Sequence, residues 1–399
     1  MTARLLGAEK ALANNPSQRL IDLHKLLSGE MEKILDLEEE LWGMKARINW
    51  LIQGERNTAF FHITALTRRS RNRIAGINDP NGNWIVDIDR VKEIFLKGFK
   101  KLYSSEQVWC ERTLQSPLPF GNSLSDSEAL NLSLLPSDAE ILFALNSMKA
   151  FKAPGPDGLH AGFFQRFWLV VGNSVKLEVK KIFQTKKVPP WLNRTLIALI
   201  PKKLGPETIS HFRPINLCNT LYKVVSKILV LRLKHLMPRL VSPSQSAFVA
   251  GRRGTDNVIV AQELLFAMER MKGRTGNMII KIDLEKAYDR LEWGFVRKML
   301  TSLNFHMDTV ELILSCISST SISLLFNGEQ LEEFQPSRGL RQGDPLSPYI
   351  FILCMEYLSS LINRKCDDGV WGRVKASRNG PGFSHIFFTD DLLLFAKAT

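Results

Sequence analysis

A chain of 399 residues, 45% hydrophobic and 23% charged, is long enough to bury a large core and to form two or three subdomains, and its composition is ordinary for a globular protein. A formal net charge of +13 points to a polyanionic partner, nucleic acid ahead of an acidic membrane. Cys110, Cys218, Cys316, Cys354 and Cys366 lie far apart without a C-x-x-C pair, which argues against a zinc module and a disulfide framework and for a reducing compartment. No apolar run approaches the roughly 18 residues a membrane span needs, and Met1-Thr2-Ala3-Arg4 leads into no signal-peptide core. The chain is therefore expected inside the cell, in nucleus or cytoplasm, neither secreted nor membrane-bound.

In chain order, Leu20, Leu23, Leu27, Ile34, Leu37 and Leu41 recur at three- and four-residue intervals and predict helix over the first 53 residues, as a short coiled coil or as a helix packed on the main body. Arg68, Arg69, Arg71 and Arg73 form a basic cluster that would suit phosphates or simply a solvated surface. Asp79-Pro80-Asn81-Gly82 predicts a hairpin turn between Ile74–Ile77 and Trp84–Ile88. The Ser-, Pro- and Asn-rich stretch 104–136 reads as a linker, so the chain is divided into a helical, basic extension over 1–136 and a main domain over 137–399.

Ser137-Asp138-Ala139-Glu140 is a capping box that opens a helix. The helix should stop before Ala153-Pro154-Gly155-Pro156-Asp157-Gly158, a rigid turn. Helix is expected again over Phe163–Phe183, strands over Thr195–Lys202 and Phe212–Leu217, and a basic amphipathic helix over Tyr222–Met237 with Lys223, Lys227, Arg232 and Lys234 on its polar side. Gln245–Asn257 is polar and Gly-containing, and Val258–Met271 is helical. Asn277–Asp283 is a strand that delivers a carboxylate at its C-terminal end, followed by a helix carrying Tyr288, Asp289 and Trp293. Ser321–Phe334 is a hairpin turning at Asn327-Gly328. A Gly-rich loop, Ser337–Pro348, opens a long apolar helix over Tyr349–Asn363.

The chain closes on His385-Ile386-Phe387-Phe388-Thr389-Asp390-Asp391-Leu392-Leu393-Leu394-Phe395, two short apolar runs around adjacent carboxylates. The runs suit buried strands, with the Asp pair at a tight turn. Such a turn is either a solvated acidic loop or a cation site, since neighbouring carboxylates walled in by apolar residues repel each other and lose solvation. If the strand ending in Asp283 joined the same sheet, three carboxylates would converge, the arrangement that holds two divalent cations for phosphoryl transfer. Oxygen ligands favour Mg²⁺ or Mn²⁺ over zinc.

Several blocks, in order, carry a family resemblance: KAPGPDG at 152–158, LIPK at 199–202, FRPINL at 212–217, QSAFVAGR at 245–252, KIDLEKAYDRLEW at 281–293, RGLRQGDPLSPYIFILC at 338–354 and FTDD at 388–391. Residues 137–399 resemble the fingers and palm of a reverse transcriptase of the LINE-like, non-LTR retrotransposons, particularly those of plants. The resemblance implies an α+β right-hand fold, helical fingers around an antiparallel palm sheet, and an RNA-directed DNA polymerase acting on RNA template, DNA primer and dNTPs with two Mg²⁺ ions, Mn²⁺ being an alternative. By the same resemblance Asp283, Asp390 and Asp391 are the catalytic, metal-binding carboxylates. Tyr288 matches the bulky residue beneath the incoming sugar, Gln342 and Gly343 the loop that approaches nucleotide and template, and Lys202 and Arg213 the fingers positions that neutralise the triphosphate. Asp289 is expected to be structural, Asp344 to serve the start of the next helix, and Arg341 has no assigned role. The hairpin departs from the family in having Thr389 where Ala is usual, which a strand should tolerate. The primer-gripping hairpin and thumb do not follow Asp391, and an endonuclease does not precede, so the chain reads as a central slice of a longer element or as a decayed copy. A catalytically dead, nucleic-acid-binding remnant is the alternative function.

Overall fold

The computed structural model describes residues 1–46, 58–105, 122–271 and 276–398. Expectations for the segments between them, Cys110 included, lie outside the described residues. The chain divides into two units, Met1–Ala75 and Gly76–Thr399.

The first unit holds α1 (Thr2–Asn14), α2 (Gln18–Ala46) and α3 (Thr58–Arg71), with α2 packed on both neighbours. Pro16 lies in the break between α1 and α2, consistent with its missing N–H and fixed φ. Of the periodic apolar positions Leu27 is buried, whereas Leu23, Ile34 and Leu37 are exposed. Arg68, Arg69 and Arg71 occupy the last turn of α3, where cations are favoured by the helix dipole.

The second unit begins with the expected hairpin, β1 (Ile77–Asn78) and β2 (Trp84–Ile85), whose turn is fastened by Asp79 Oδ1 accepting from the N–H groups of Asn81 and Asn83, both at 2.9 Å. Then follow α4 (Ile88–Tyr103), α5 (Asp126–Ser133), α6 (Asp138–Asn146), α7 (Ala161–Arg166) and α8 (Trp168–Thr185). Helix α5 lies inside the stretch expected as a linker, capped by Ser125 and Glu128 in a capping box. Helix α4 is amphipathic and buries Val91, Phe95, Phe99, Leu102 and Tyr103; Phe95 meets Phe212 and Phe326 edge-on. The break in the structure thus falls at Ala75/Gly76, well before the change of sequence character at Ser137.

A four-stranded mixed sheet follows, ordered β4-β3-β6-β7, from β3 (Arg194–Pro201), β4 (Phe212–Cys218), β6 (Ser321–Phe326) and β7 (Glu329–Gln330); β3 and β6 are parallel and the other pairs antiparallel. The β6–β7 turn at Asn327-Gly328 has positive φ at both residues, as a type I′ hairpin requires. Between these strands run α9 (Thr220–Leu233), α10 (Met237–Leu240), α11 (Gly254–Arg270), β5 (Gly276–Asp283), α12 (Trp293–Ser302) and α13 (Met307–Ser318). Helix α9 is apolar around more of its circumference than the expected basic amphipathic helix. Tyr222, Val224, Val225, Ile228, Leu229, Val230 and Leu233 are buried around most of its circumference, so it is a central core element. Arg232 turns inward to a bidentate pair with Glu140.

The chain ends with α14 (Ser347–Asp367), β8 (Val374–Lys375), β9 (Gly382–Phe383), β10 (His385–Phe388) and β11 (Asp391–Ala398). The second sheet of note is antiparallel throughout, ordered β10-β11-β5. Ile386 and Phe395 on one face of it pack with Leu264 of α11 and Val374.

Candidate active site

Strands β10 and β11 pair from His385↔Leu394 to Phe388↔Asp391, so the chain reverses through two residues, Thr389 and Asp390. Thr389 has φ +59°, and Asp390 is not among the residues of positive φ. That sign pattern is the one a type II′ turn uses, and its first position favours Gly. Thr389 is therefore not the tolerated strand residue that the sequence implied. It is a β-branched residue held in the left-handed region, where its Cβ is crowded.

Strand β11 then runs against β5 with Asp391 directly opposite Asp283. Directly opposed residues project to the same face about 4.5–5.5 Å apart at Cβ. The convergence of Asp283 with the Asp390-Asp391 turn is thus fixed by backbone register. Two like charges in that position destabilise the pair, and Lys281, two residues before Asp283 on the same face, places Nζ 3.5 Å from Asp391 Oδ1. The carboxylates are not walled in by apolar groups as expected: Asp283 and Asp391 are exposed and Asp390 half-buried, at the open end of the sheet. The donors are all hard oxygens, which suits Mg²⁺ or Mn²⁺. Among the described residues, no three His, Cys, Asp or Glu side chains are already gathered to hold a metal ion.

Residues 285–290 form turns rather than the expected helix, with Lys286 at φ +52°. These turns set two adjacent side chains to different tasks. Tyr288 stacks on Phe351, ring centroids 4.4 Å apart, and lies close enough to Asp390 for that carboxylate to help hold its phenol protonated; burial is the larger cause. Asp289 points into the interior and is fully buried. Its carboxylate accepts from Tyr103 Oη at 2.9 Å and from Gln342 Nε2 at 3.1 Å. Burial raises its pKa to about 6 against the opposing effect of these hydrogen bonds and of Lys286. The structural role expected for Asp289 is thus to tie α4, the Tyr288 turn and the Gln342 loop together.

The Gln342-Gly343 loop is docked on both sides. Leu340 N–H donates to Tyr288 O at 2.7 Å, and Asn216 N–H on β4 donates to Gln342 O at 2.8 Å. Gly343 has φ +112°, and a Cβ there would lie 3.0 Å from Asn216 O, so the backbone approach requires glycine on two counts. Beneath the loop Arg341 is buried against Asp344, Nη2 to Oδ2 3.3 Å, with its guanidinium 4.0 Å from the Tyr222 ring centre. Asp344 also accepts from Leu346 N–H at 3.0 Å, ahead of the first residue of α14, which is the expected role.

Lys202 follows β3, and Arg213 opposes Ile200 across the β3–β4 pair, which puts both on one face at one end of the sheet. Both are exposed. Lys202 lies near enough to Lys286 and Asp289 to act on both electrostatically. Lys286 is lowered by burial, and Lys202 adds to that lowering. The structure thus links Lys202, Lys286, Asp289, Gln342 and Gly343, and links Tyr288 to Asp390. No interaction among the described residues ties Arg213 into this group beyond its shared face with Lys202. Lys281, Lys286 and Tyr103 were not singled out from the sequence, although Lys281 is detectable by its period-two spacing from Asp283.

Comparison with known proteins now bears on this arrangement. The family described as reverse transcriptase (RNA-dependent DNA polymerase) matches residues 200–399. This chain belongs to the reverse transcriptase family. The match covers β4, β5, the Gln342 loop and the Asp390-Asp391 hairpin. Over 384 residues, 91% of this chain, it is 27% identical to the transposon TX1 uncharacterized 149 kDa protein of Xenopus laevis. It is 28% identical over 259 residues to the Pol polyprotein of the type-1 retrotransposable element R2 of Popillia japonica, and 26% identical over 246 residues to that of element R2DM of Drosophila melanogaster. These relatives support the LINE-like, non-LTR type of reverse transcriptase. The chain spans 29%, 34% and 22% of their respective lengths. In the described part of this chain, no helix is long and apolar enough to cross a membrane.

Proposed function

We propose that the chain provides the polymerising centre of an RNA-directed DNA polymerase of a non-LTR retrotransposon, acting inside the cell with RNA template, DNA primer and dNTPs. The observation that carries the reading is the register that sets Asp391 opposite Asp283, with Asp390 in the adjoining turn. Asp283, Asp390 and Asp391 would hold two divalent cations, Mg²⁺ or Mn²⁺, whose chemistry there would be to lower the pKa of a primer 3′-hydroxyl and to neutralise charge on pyrophosphate.

The other residues bind and orient. Lys202 and Arg213, exposed on one face of β3–β4, would neutralise the triphosphate, with Lys286 beside Lys202 adding positive charge. Tyr288, rigid on Phe351 and next to Asp390, would exclude a 2′-hydroxyl from the incoming sugar. Gln342, oriented by Asp289, and Gly343, without a side chain, would let the loop lie against nucleotide and template. Helical fingers and an antiparallel palm around this centre form the right-hand fold, of which the sheet β10-β11-β5 is the palm core. The net charge of +13 suits a phosphate-tracking groove.

A nucleic-acid-binding role without catalysis is the second reading, for which the net charge of +13 would suffice. Binding to an RNA–DNA duplex should weaken steeply as salt rises in either case. The two part on incorporation of a dNTP at the primer end. Duplex binding without incorporation would favour the second reading, and salt-independent binding would contradict both.

A further inference from the structure

The QSAFVAGR block, residues 245–252, has no part in the chemistry above, yet it lies against the Asp390-Asp391 hairpin. Gln245 makes a parallel bridge to Phe387, with Phe387 N–H donating to Ser244 O at 2.8 Å and Ser246 N–H donating to Phe387 O at 3.3 Å. The Gln245 side chain, 2% exposed, reaches the turn itself. Its Oε1 accepts from Thr389 N–H at 3.2 Å and from Ala247 N–H at 3.0 Å, which fixes which way round the amide faces. Its Nε2 donates toward Thr389 O at 3.5 Å, the outer limit of a hydrogen bond. The bracket is itself anchored. Arg252 donates to the backbone carbonyls of Ser242, Gln245, Pro238 and Val241, and Asn257 Nδ2 donates to Phe387 O at 2.7 Å.

Thr389 is the residue that needs holding. A β-branched side chain at φ +59° relaxes toward negative φ unless its surroundings forbid it. Such a relaxation would rotate the following peptide and with it the Asp390 carboxylate, while Asp391 stays held in the β11–β5 ladder. We infer that Gln245 is a positioning residue of the polymerising centre, its buried amide clamping the Thr389 peptide so that Asp390 stays beside Asp283 and Asp391. The inference rests on the proposal that these carboxylates hold divalent cations.

The test uses the full chain and two readouts that need no catalysis. Gln245→Met keeps the volume and removes all three side-chain hydrogen bonds. Exchange of the Thr389 amide hydrogen should quicken about tenfold, the effect of one net hydrogen bond. Mn²⁺, titrated by water-proton relaxation, should bind about tenfold more weakly. In a Thr389→Gly background, where the left-handed conformation is unstrained, the same change should cost well under half of that affinity on a logarithmic scale. If Gln245→Met fails to fold, Gln245→Glu retains an acceptor oxygen and should keep the Thr389 amide slow to exchange. Unchanged Thr389 exchange in Gln245→Met, fast exchange in Gln245→Glu, or an equal loss of Mn²⁺ affinity in both backgrounds would overturn the inference. Failure of the unaltered chain to bind Mn²⁺ would instead defeat the cation-site proposal, and the exchange measurement would still decide the clamp.

Discussion

Replacing Arg341 with Met should destabilise the protein by about 3 kcal/mol, at the lower end of the 3–5 kcal/mol lost when one partner of a buried ion pair is removed. The side chains of Arg341 and Asp344 are 5% and 1% exposed, so neither charge is screened by water. The guanidinium donates to Asn193 Oδ1 at 2.6 Å, Thr195 Oγ1 at 3.1 Å and Cys316 O at 2.8 Å, and all three acceptors would lose a buried donor. The loss stays at the lower end because Asp344 keeps two donors, the Tyr222 hydroxyl and Leu346 N–H. Urea unfolding followed by circular dichroism measures the change. The double substitution with Asp344→Asn removes both charges and should cost at least 1 kcal/mol less than the sum of the singles, since the second change no longer strands a charge. A loss below 1 kcal/mol for Arg341→Met, or strict additivity, would refute the view that this pair sets the floor of the Gln342-Gly343 loop.

Three further expectations follow from the site. Burial raises Asp289 to about 6 and Glu356 to about 7, so both bind a proton more tightly folded than unfolded. The stability they contribute is fully present below pH about 4 and lost as pH rises through about 6 to 7. His385, lowered by burial to about 4, works the other way, losing stability as pH falls from about 6.5 to 4. Asp289→Asn should therefore shrink any gain in Tm between pH 7.5 and pH 5; an unchanged or larger gain would contradict the buried acid. Asp283→Asn relieves the cross-strand repulsion with Asp391 and should raise the stability of the cation-free chain by a few tenths of a kcal/mol, measured by thermal melting without divalent ions; a clear destabilisation would show that the pair is not repulsive. Tyr288→Ala should erode discrimination against ribonucleotides by lowering the preference for dNTP over rNTP in single-nucleotide incorporation, with little change in KM for dNTP, whereas unaltered discrimination would remove Tyr288 from the sugar site.

What could be read from the sequence divides by the range of the cause. The turns at Asn327-Gly328 and Asp79–Gly82 and the helix start at Ser137 depend on a few adjacent residues, and they stand where local chemistry put them. The apolar runs around Thr389-Asp390 likewise identified the hairpin. That Asp283 opposes Asp391 depends on pairing strands more than a hundred residues apart, which no local pattern encodes; the residues left it as one possibility, and the resemblance favoured it. Helix α9 misled because Lys223, Lys227 and Lys234 imply a polar face, while the tertiary packing covers the residues between them. The turns at 285–290 misled because neither Gly nor Pro marks them; Lys286 adopts φ +52° where its surroundings demand it. Gln245 bonds to the backbone of Thr389, 144 residues away, and Arg252 to four carbonyls shortly before it in the chain, and a backbone partner leaves no trace in residue type. The same holds for Tyr103, whose partner Asp289 lies 186 residues away.

Whether these carboxylates polymerise is decided by primer extension with purified chain, an RNA template annealed to a DNA primer, dNTPs and Mg²⁺, run beside Asp390→Asn and Asp283→Asn proteins shown to melt at or near the temperature of the unaltered chain. The unaltered protein should extend the primer in a template-dependent way, and neither variant should. Extension that survives in Asp390→Asn or Asp283→Asn would contradict the assignment of these carboxylates, and no extension by the unaltered chain despite duplex binding would contradict polymerisation by this chain.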